Sequence, residues 1–107
     1  MNDPVGDLGG LAEASVQILV VLSAGPAHGY AIMTEVERET GRELGPGTMY
    51  AALARLEQRQ LIEALPAIDR RRPYRLTALG AGALEAELGR MHALAERGLE
   101  RLRRSER

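Results

Sequence analysis

The 107-residue chain has no cysteine, no tryptophan, no phenylalanine and no lysine. Without cysteine there is no disulfide framework and no thiolate to serve as nucleophile or metal ligand. His28 and His92 are the only imidazoles and stand far apart in the sequence, so neither a structural zinc site nor any other metal or cofactor is expected. The longest apolar run, Ile18 to Leu22, is too short for a bilayer, and Met1 to Asp7 lacks the basic start and apolar stretch of a signal peptide. A cytoplasmic protein with no membrane partner is the expectation. No serine stands in a nucleophile elbow and no helical carboxylate–histidine cluster suggests hydrolysis, so no enzyme is expected. Gly80-Ala81-Gly82 follows a strand pattern and opens a helix as a dinucleotide loop does. Glu85 takes the place of the third glycine, however, and the chain has no room for the accompanying parallel sheet.

What is present is charge, unevenly spread. The chain is the size of one domain with one modest core. Its formal net charge of −1 argues mildly against nucleic acid, yet residues 1–45 set seven carboxylates against two arginines, whereas residues 46–78 set six arginines against three carboxylates. Residues 79–107 carry an excess of one positive charge. A surface that binds phosphate therefore belongs in the middle third. All 14 basic residues are arginine, a forked donor suited to phosphate and guanine.

Periodicity supplies the elements. From Leu8 to Ala24 apolar residues recur at helical spacing, become apolar all round at Val20 and Val21, and stop at Gly25-Pro26. Gly29, Ile32, Met33 and Val36 form a second, amphipathic stripe closed by Gly41, and Met49, Leu53 and Leu56 a third that starts at Pro46 and runs to about Gln60. The period then changes. Leu61–Leu65 and Tyr74–Thr77 read as strands of a hairpin whose tip holds Arg70, Arg71 and Arg72. From Thr77, an N-cap, a last helix runs to near Arg104, weakened at Gly80, Gly82, Gly89 and Gly98 by up to about 1 kcal/mol each. The order predicts a mainly α fold with a small β-hairpin: a winged helix-turn-helix over residues 9–78 with an additional C-terminal dimerisation helix over 79–104. Residues 1–8 and 105–107 are expected to be flexible ends.

Five short motifs then stand in register: His28-Gly29-Tyr30; Gly47-Thr48-Met49-Tyr50; Leu53 with Arg55-Leu56-Glu57; Leu61-Ile62; and Arg71-Arg72-Pro73-Tyr74-Arg75-Leu76-Thr77. In order and spacing they resemble the signature of the PadR family in its short form, across residues 11 to 90. The resemblance implies a bacterial, dimeric transcriptional repressor whose third helix enters the DNA major groove, whose wing touches backbone or minor groove, and whose last helix dimerises. It also implies a small hydrophobic effector held between subunits, although three tyrosines and no other aromatic residue argue against a broad aromatic sandwich. Gln60 departs from the glycine usual in the family, and Pro73 from a basic or aromatic residue.

The residues themselves agree with this reading. A rotation of about 100° per residue that turns Met49, Leu53 and Leu56 inward turns Gly47, Thr48, Ala51, Ala54, Arg55 and Gln58 outward. Small side chains admit the helix to a groove, Thr48 can donate to a phosphate, and Arg55 or Gln58 can reach base edges. Tyr50 sits on the flank with its hydroxyl within reach of a phosphate. Arg70, Arg71 and Arg72 supply the wing's charge, and Arg75 faces out from the second strand. His28 and Tyr30 are read as structural, packed under the start of the second helix, and Tyr74 as core. For the homodimer, Leu84, Leu88, Met91, Ala95 and Leu102 on the last helix, with Leu11 and Ile18 on the first, are the expected interface. The competing reading is a protein-interaction module that uses its acidic first half while the arginine turn is merely solvated.

Overall fold

The computed structural model describes residues 12–105. Helix α1 (Glu13–Leu22) leads into a two-residue strand β1 (Ala27–His28), and α2 (Gly29–Thr40) and α3 (Pro46–Gln58) follow. Strands β2 (Ile62–Ala64) and β3 (Pro73–Leu76) come next, and α4 (Ala78–Ser105) closes the chain. The fold is mainly helical with a small antiparallel sheet, as the sequence pattern predicts.

The core forms where the predicted stripes meet. Val16, Ile18, Leu19, Val21 and Leu22 of α1 are buried against Ile32 and Val36 of α2, Met49, Ala52, Leu53 and Leu56 of α3, Leu61 and Ile62, and Leu84 of α4. At about 25 cal/mol per Å² of apolar surface removed from water, these side chains are the main stabilising term. α1 packs on α2, α3, β3 and α4, which explains why its C-terminal half is apolar all round.

Local chemistry fixes the boundaries. Gly41 ends α2 in the left-handed region at φ 74° and its N–H donates to Glu37 O at 2.8 Å. Pro46 occupies the first turn of α3, where no donor is needed. α3 ends with the Leu61 N–H bonded to Leu56 O and the Gln60 N–H to Glu57 O, both 2.9 Å, which puts Gln60 at the left-handed position of a Schellman turn, φ 65°. A glycine fits that position without strain. Thr77 caps α4 as expected, its Oγ1 accepting from Gly80 N at 2.9 Å.

The hairpin is part of a larger sheet. Ile62, Glu63 and Ala64 pair with Leu76, Arg75 and Tyr74, and on the other side of β3 Ala27 and His28 pair with Tyr74 and Pro73, giving the strand order β1-β3-β2. The third strand is an addition to the expected hairpin, because two residues are too few to show an alternating pattern.

Candidate nucleic-acid interface

The helix-turn-helix pair is α2, the loop Gly41–Gly45 and α3. Anchored by its buried face, α3 leaves Gly47, Thr48, Ala51, Ala54, Arg55 and Gln58 exposed on the other. Tyr50, also exposed at 55%, stands on the flank facing α2. Its hydroxyl lies so close to Gly29 that a Cβ there would be 2.9 Å from it. A glycine at the start of α2 thus makes room for an aromatic ring on α3.

The wing folds by its own local rules. After β2 the ladder continues through Leu65 N–H to Pro73 O at 2.8 Å, and the tip closes with reciprocal bonds between Ile68 and Arg71, 2.8 and 2.9 Å. The two residues between them, Asp69 and Arg70, have φ 51° and 65°. Positive φ at both central positions is the type I′ arrangement, whose twist matches that of hairpin strands. The turn lifts Arg70, Arg71 and Arg72 out of the protein, all exposed.

Wing, β1, α2 and α3 enclose a cleft of about 440 Å³ lined by His28, Gly29, Tyr30, Tyr50, Arg70, Arg71, Arg72 and Tyr74. It gathers all three tyrosines and three arginines, and no carboxylate lines it. Arg55, Arg70 and Arg72 form no ion pair among the described residues, and Arg71 instead sets Nη1 3.4 Å from His28 Nε2. Burial, with the nearby Glu57 carboxylate adding to it, pushes the Tyr74 phenol above its ordinary pKa, so Tyr74 stays a neutral hydrogen-bonding group at the cleft floor. Guanidiniums without ion pairs and phenol hydroxyls, with no carboxylate among the lining residues, are groups whose chemistry suits phosphate oxygens.

The sequence-predicted residues divide. Gly47, Thr48, Tyr50, Ala51, Arg55, Gln58, Arg70, Arg71 and Arg72 all lie on the exposed surface of α3 and the wing. Arg75 faces out as expected but is not among the residues lining the cleft; it is bonded to Glu63, its partner across the β2–β3 ladder, on the exposed face of the sheet. Tyr30 corrects the expectation of a packed ring, since it is 67% exposed at the cleft rim. His28 is half-buried at the N-terminal end of α2, with its Nδ1 3.3 Å from Ala31 N and its Nε2 turned to the wing. Sequence reasoning missed Tyr30 as a surface group because one residue at a helix start carries no periodicity. Its neighbour Gly29, which makes way for Tyr50, was the available signal.

On the dimer side, Ile18 and Leu84 are buried within this chain's own core and have no surface to offer a partner, which removes them from the expected interface. Leu11 lies outside the described residues. Leu88, Met91 and Leu102 are exposed at 40%, 47% and 62%, with Ala95 also exposed. The last buried residue of α4 is Glu87, bonded to Arg90 at 2.6 Å, and beyond it α4 extends clear of the domain. No helix among the described residues is long and apolar enough to cross a membrane, and no cluster of three or more potential metal ligands occurs among them.

Comparison with known proteins follows the same lines. A PadR family transcription regulator from Clostridium difficile R20291 shares the fold with a TM-score of 0.75 at 27% identity, over 85% of this chain and 99% of that one. A transcriptional regulator from Clostridium thermocellum gives 0.73 at 25% identity, over 81% and 89%. The complex structure of hsRosR-S4, from H. salinarum, gives 0.73 at 30% identity, over 85% and 79%. Among curated sequences, an uncharacterised 37.1 kDa protein in transposon TN4556 of Streptomyces fradiae is 44% identical over 88 residues. That alignment takes in 82% of this chain, which spans only about a quarter of the relative, 26%. Residues 18–86, from the core of α1 to the first turns of α4, match the model of the transcriptional regulator PadR-like family, and the chain belongs to that family.

Proposed function

We propose that the chain is a sequence-specific DNA-binding transcriptional repressor that acts in the cytoplasm as a homodimer on an inverted-repeat operator, without enzymatic activity. The observation that carries this reading is the cleft between wing and helices. Three arginines and three tyrosines converge there with no carboxylate among the lining residues, although the chain as a whole is net negative at −1. The exposed face of α3, small at Gly47, Ala51 and Ala54 and long at Arg55 and Gln58, lies beside it. The wing and Thr48 supply phosphate contacts that set register, and Arg55 and Gln58 read base edges. Likeness to PadR family regulators supports control of transcription as the outcome. Release by a small hydrophobic effector is part of the proposal through the family alone.

Titration of mixed-sequence duplex DNA at low and moderate salt tests it. Each phosphate neutralised on duplex DNA contributes about −0.9 to the slope of log K against log salt, so measurable binding with a steep salt dependence is expected. A protein that binds no duplex at low salt, as a purely protein-docking winged helix would behave, overturns the proposal.

A further inference from the structure

The His28 ring faces two donors with one lone pair to give. Its Nδ1 lies 3.3 Å from the Ala31 N–H and its Nε2 3.4 Å from Arg71 Nη1. A neutral imidazole has one acceptor nitrogen and one N–H, and a protonated one has no acceptor. Both contacts therefore cannot be hydrogen bonds at once. With Nε2 bare the ring holds Arg71 and leaves the α2 cap unmade; with Nδ1 bare it caps α2 and turns an N–H toward the guanidinium.

Placement gives this choice a consequence. The backbone of His28 is fixed by pairing with Pro73 at the root of the wing, and that of Arg71 by its reciprocal bonds to Ile68 at the tip. The ring and the guanidinium thus connect two elements 43 residues apart in sequence. A guanidinium has five N–H donors, so one spent on the imidazole leaves the others for a phosphate. Resting on the DNA-binding reading above, we infer that His28 is a positioning residue for Arg71: the imidazole Nε2 aims the wing guanidinium into the cleft, at the expense of the helix cap on Ala31.

Two substitutions separate the roles, because an Asn amide oxygen stands near the place of Nδ1 and a Gln amide oxygen near that of Nε2. His28→Asn keeps the cap and loses Arg71; His28→Gln keeps Arg71 and loses the cap. In duplex titrations His28→Asn is expected to weaken binding about two- to fivefold, the worth of an exposed charged contact, and His28→Gln to stay within about twofold of the parent. Arg71→Ala combined with His28→Asn is expected to bind no more weakly than Arg71→Ala alone. Parent-like binding by His28→Asn, or additive losses in the pair, overturns the inference. Imidazole 15N NMR of the free protein decides independently of DNA. Arg71→Ala removes one donor and is expected to shift His28 toward the Nε2–H form; an unchanged tautomer overturns the inference. If no duplex binds at all, the proposed function fails while the NMR comparison still settles the His28–Arg71 relationship.

Discussion

The carbonyl oxygen of Leu61 occupies the space that a Cβ on Gly80 would require. The same carbonyl accepts the Thr77 N–H at 3.1 Å, so the strand entry after α3 and the first turn of α4 are clamped at one point. Gly80→Ala cannot be accommodated by moving a flexible side chain, since the obstacle is backbone. It is expected to lower stability by about 1–3 kcal/mol, the range for overpacking a tight site. Gly82, two residues on, has nothing within 4 Å of its would-be Cβ. Gly82→Ala is expected to raise stability by up to about 1 kcal/mol through helix propensity. Thermal melts of the two variants should move in opposite directions.

Two non-glycine residues in left-handed backbone give a second pair of variants. Gln60 and Arg70 both have φ 65°, a conformation that glycine adopts without a steric cost. Gln60→Gly, at the end of α3, is expected to stabilise the fold by about 0.5–1 kcal/mol and leave DNA affinity unchanged. Arg70→Gly creates the Asp-Gly sequence preferred in type I′ turns. It is expected to stabilise the wing similarly while weakening duplex binding. An Arg70→Gly protein that binds DNA as tightly as the parent would show that this side chain touches no phosphate.

The contrast between those positions shows what was legible in the sequence. Periodicity located α2 and α3 because each buries one stripe, Met49, Leu53 and Leu56 being the clearest, and α4 through an apolar stripe of which only Leu84 is buried in this chain's core. Gly41, Pro46 and Thr77 marked their ends through local backbone chemistry. The arginine-rich turn was evident as composition, but its geometry was not, because Asp69-Arg70 in left-handed backbone has no Gly to announce it. The cleft was hidden for a different reason. His28, Tyr30 and Tyr50 meet Arg71 only once β1 pairs with β3, and a two-residue strand leaves no pattern. Likewise Ile18 was indistinguishable from an interface residue until α2, α3 and α4 were seen to surround α1.

Replacing Arg71 and Arg72 together by alanine is expected to weaken binding to all duplex sequences about equally. The magnitude of the salt slope should fall by roughly one for each phosphate that is no longer neutralised. Both side chains are exposed, so the melting temperature should hardly change. Affinity and slope equal to those of the parent would make the turn a solvated loop.

The outward face of α3 predicts a different signature. Arg55→Ala or Gln58→Ala is expected to relax sequence preference, since removing a hydrogen bond to a base edge costs about 1–3 kcal/mol at one position and little elsewhere. Thr48, in the first turn of α3, is the proposed phosphate anchor, and Thr48→Ala should lower affinity without altering preference. Selection from a random duplex pool reads all three. An identical motif from every variant would take Arg55 and Gln58 out of base reading.

The last prediction rests on the exposed part of α4, from Leu88 onward among the described residues. At about 1.5 Å per residue its 28 residues form a rod of about 42 Å, longer than the two shorter extents of the molecule, 28 and 26 Å. From Leu88 onward every described residue of α4 is exposed. Leu88, Met91, Ala95 and Leu102 fall on alternating steps of three, four and seven, the seam of a coiled coil, and Gly98 takes the intervening position. Small Ala95 and Gly98 let a second helix approach closely, while Leu94 and Leu99 flank the seam. A second copy of α4 is the occupant proposed above, because a two-fold axis sets the same apolar patch against itself and covers both copies at once. Such a dyad would also orient two copies of α3, which should then read an inverted repeat with half-sites about 34–36 Å apart or a multiple of it. Leu88→Asp with Met91→Asp puts charge in the seam but touches none of the core residues, so the expected result is a folded monomer by sedimentation and circular dichroism, with severe loss of operator binding. A parent protein that sediments as a monomer at micromolar concentration, or a double variant that keeps tight operator binding, would end the dimer model.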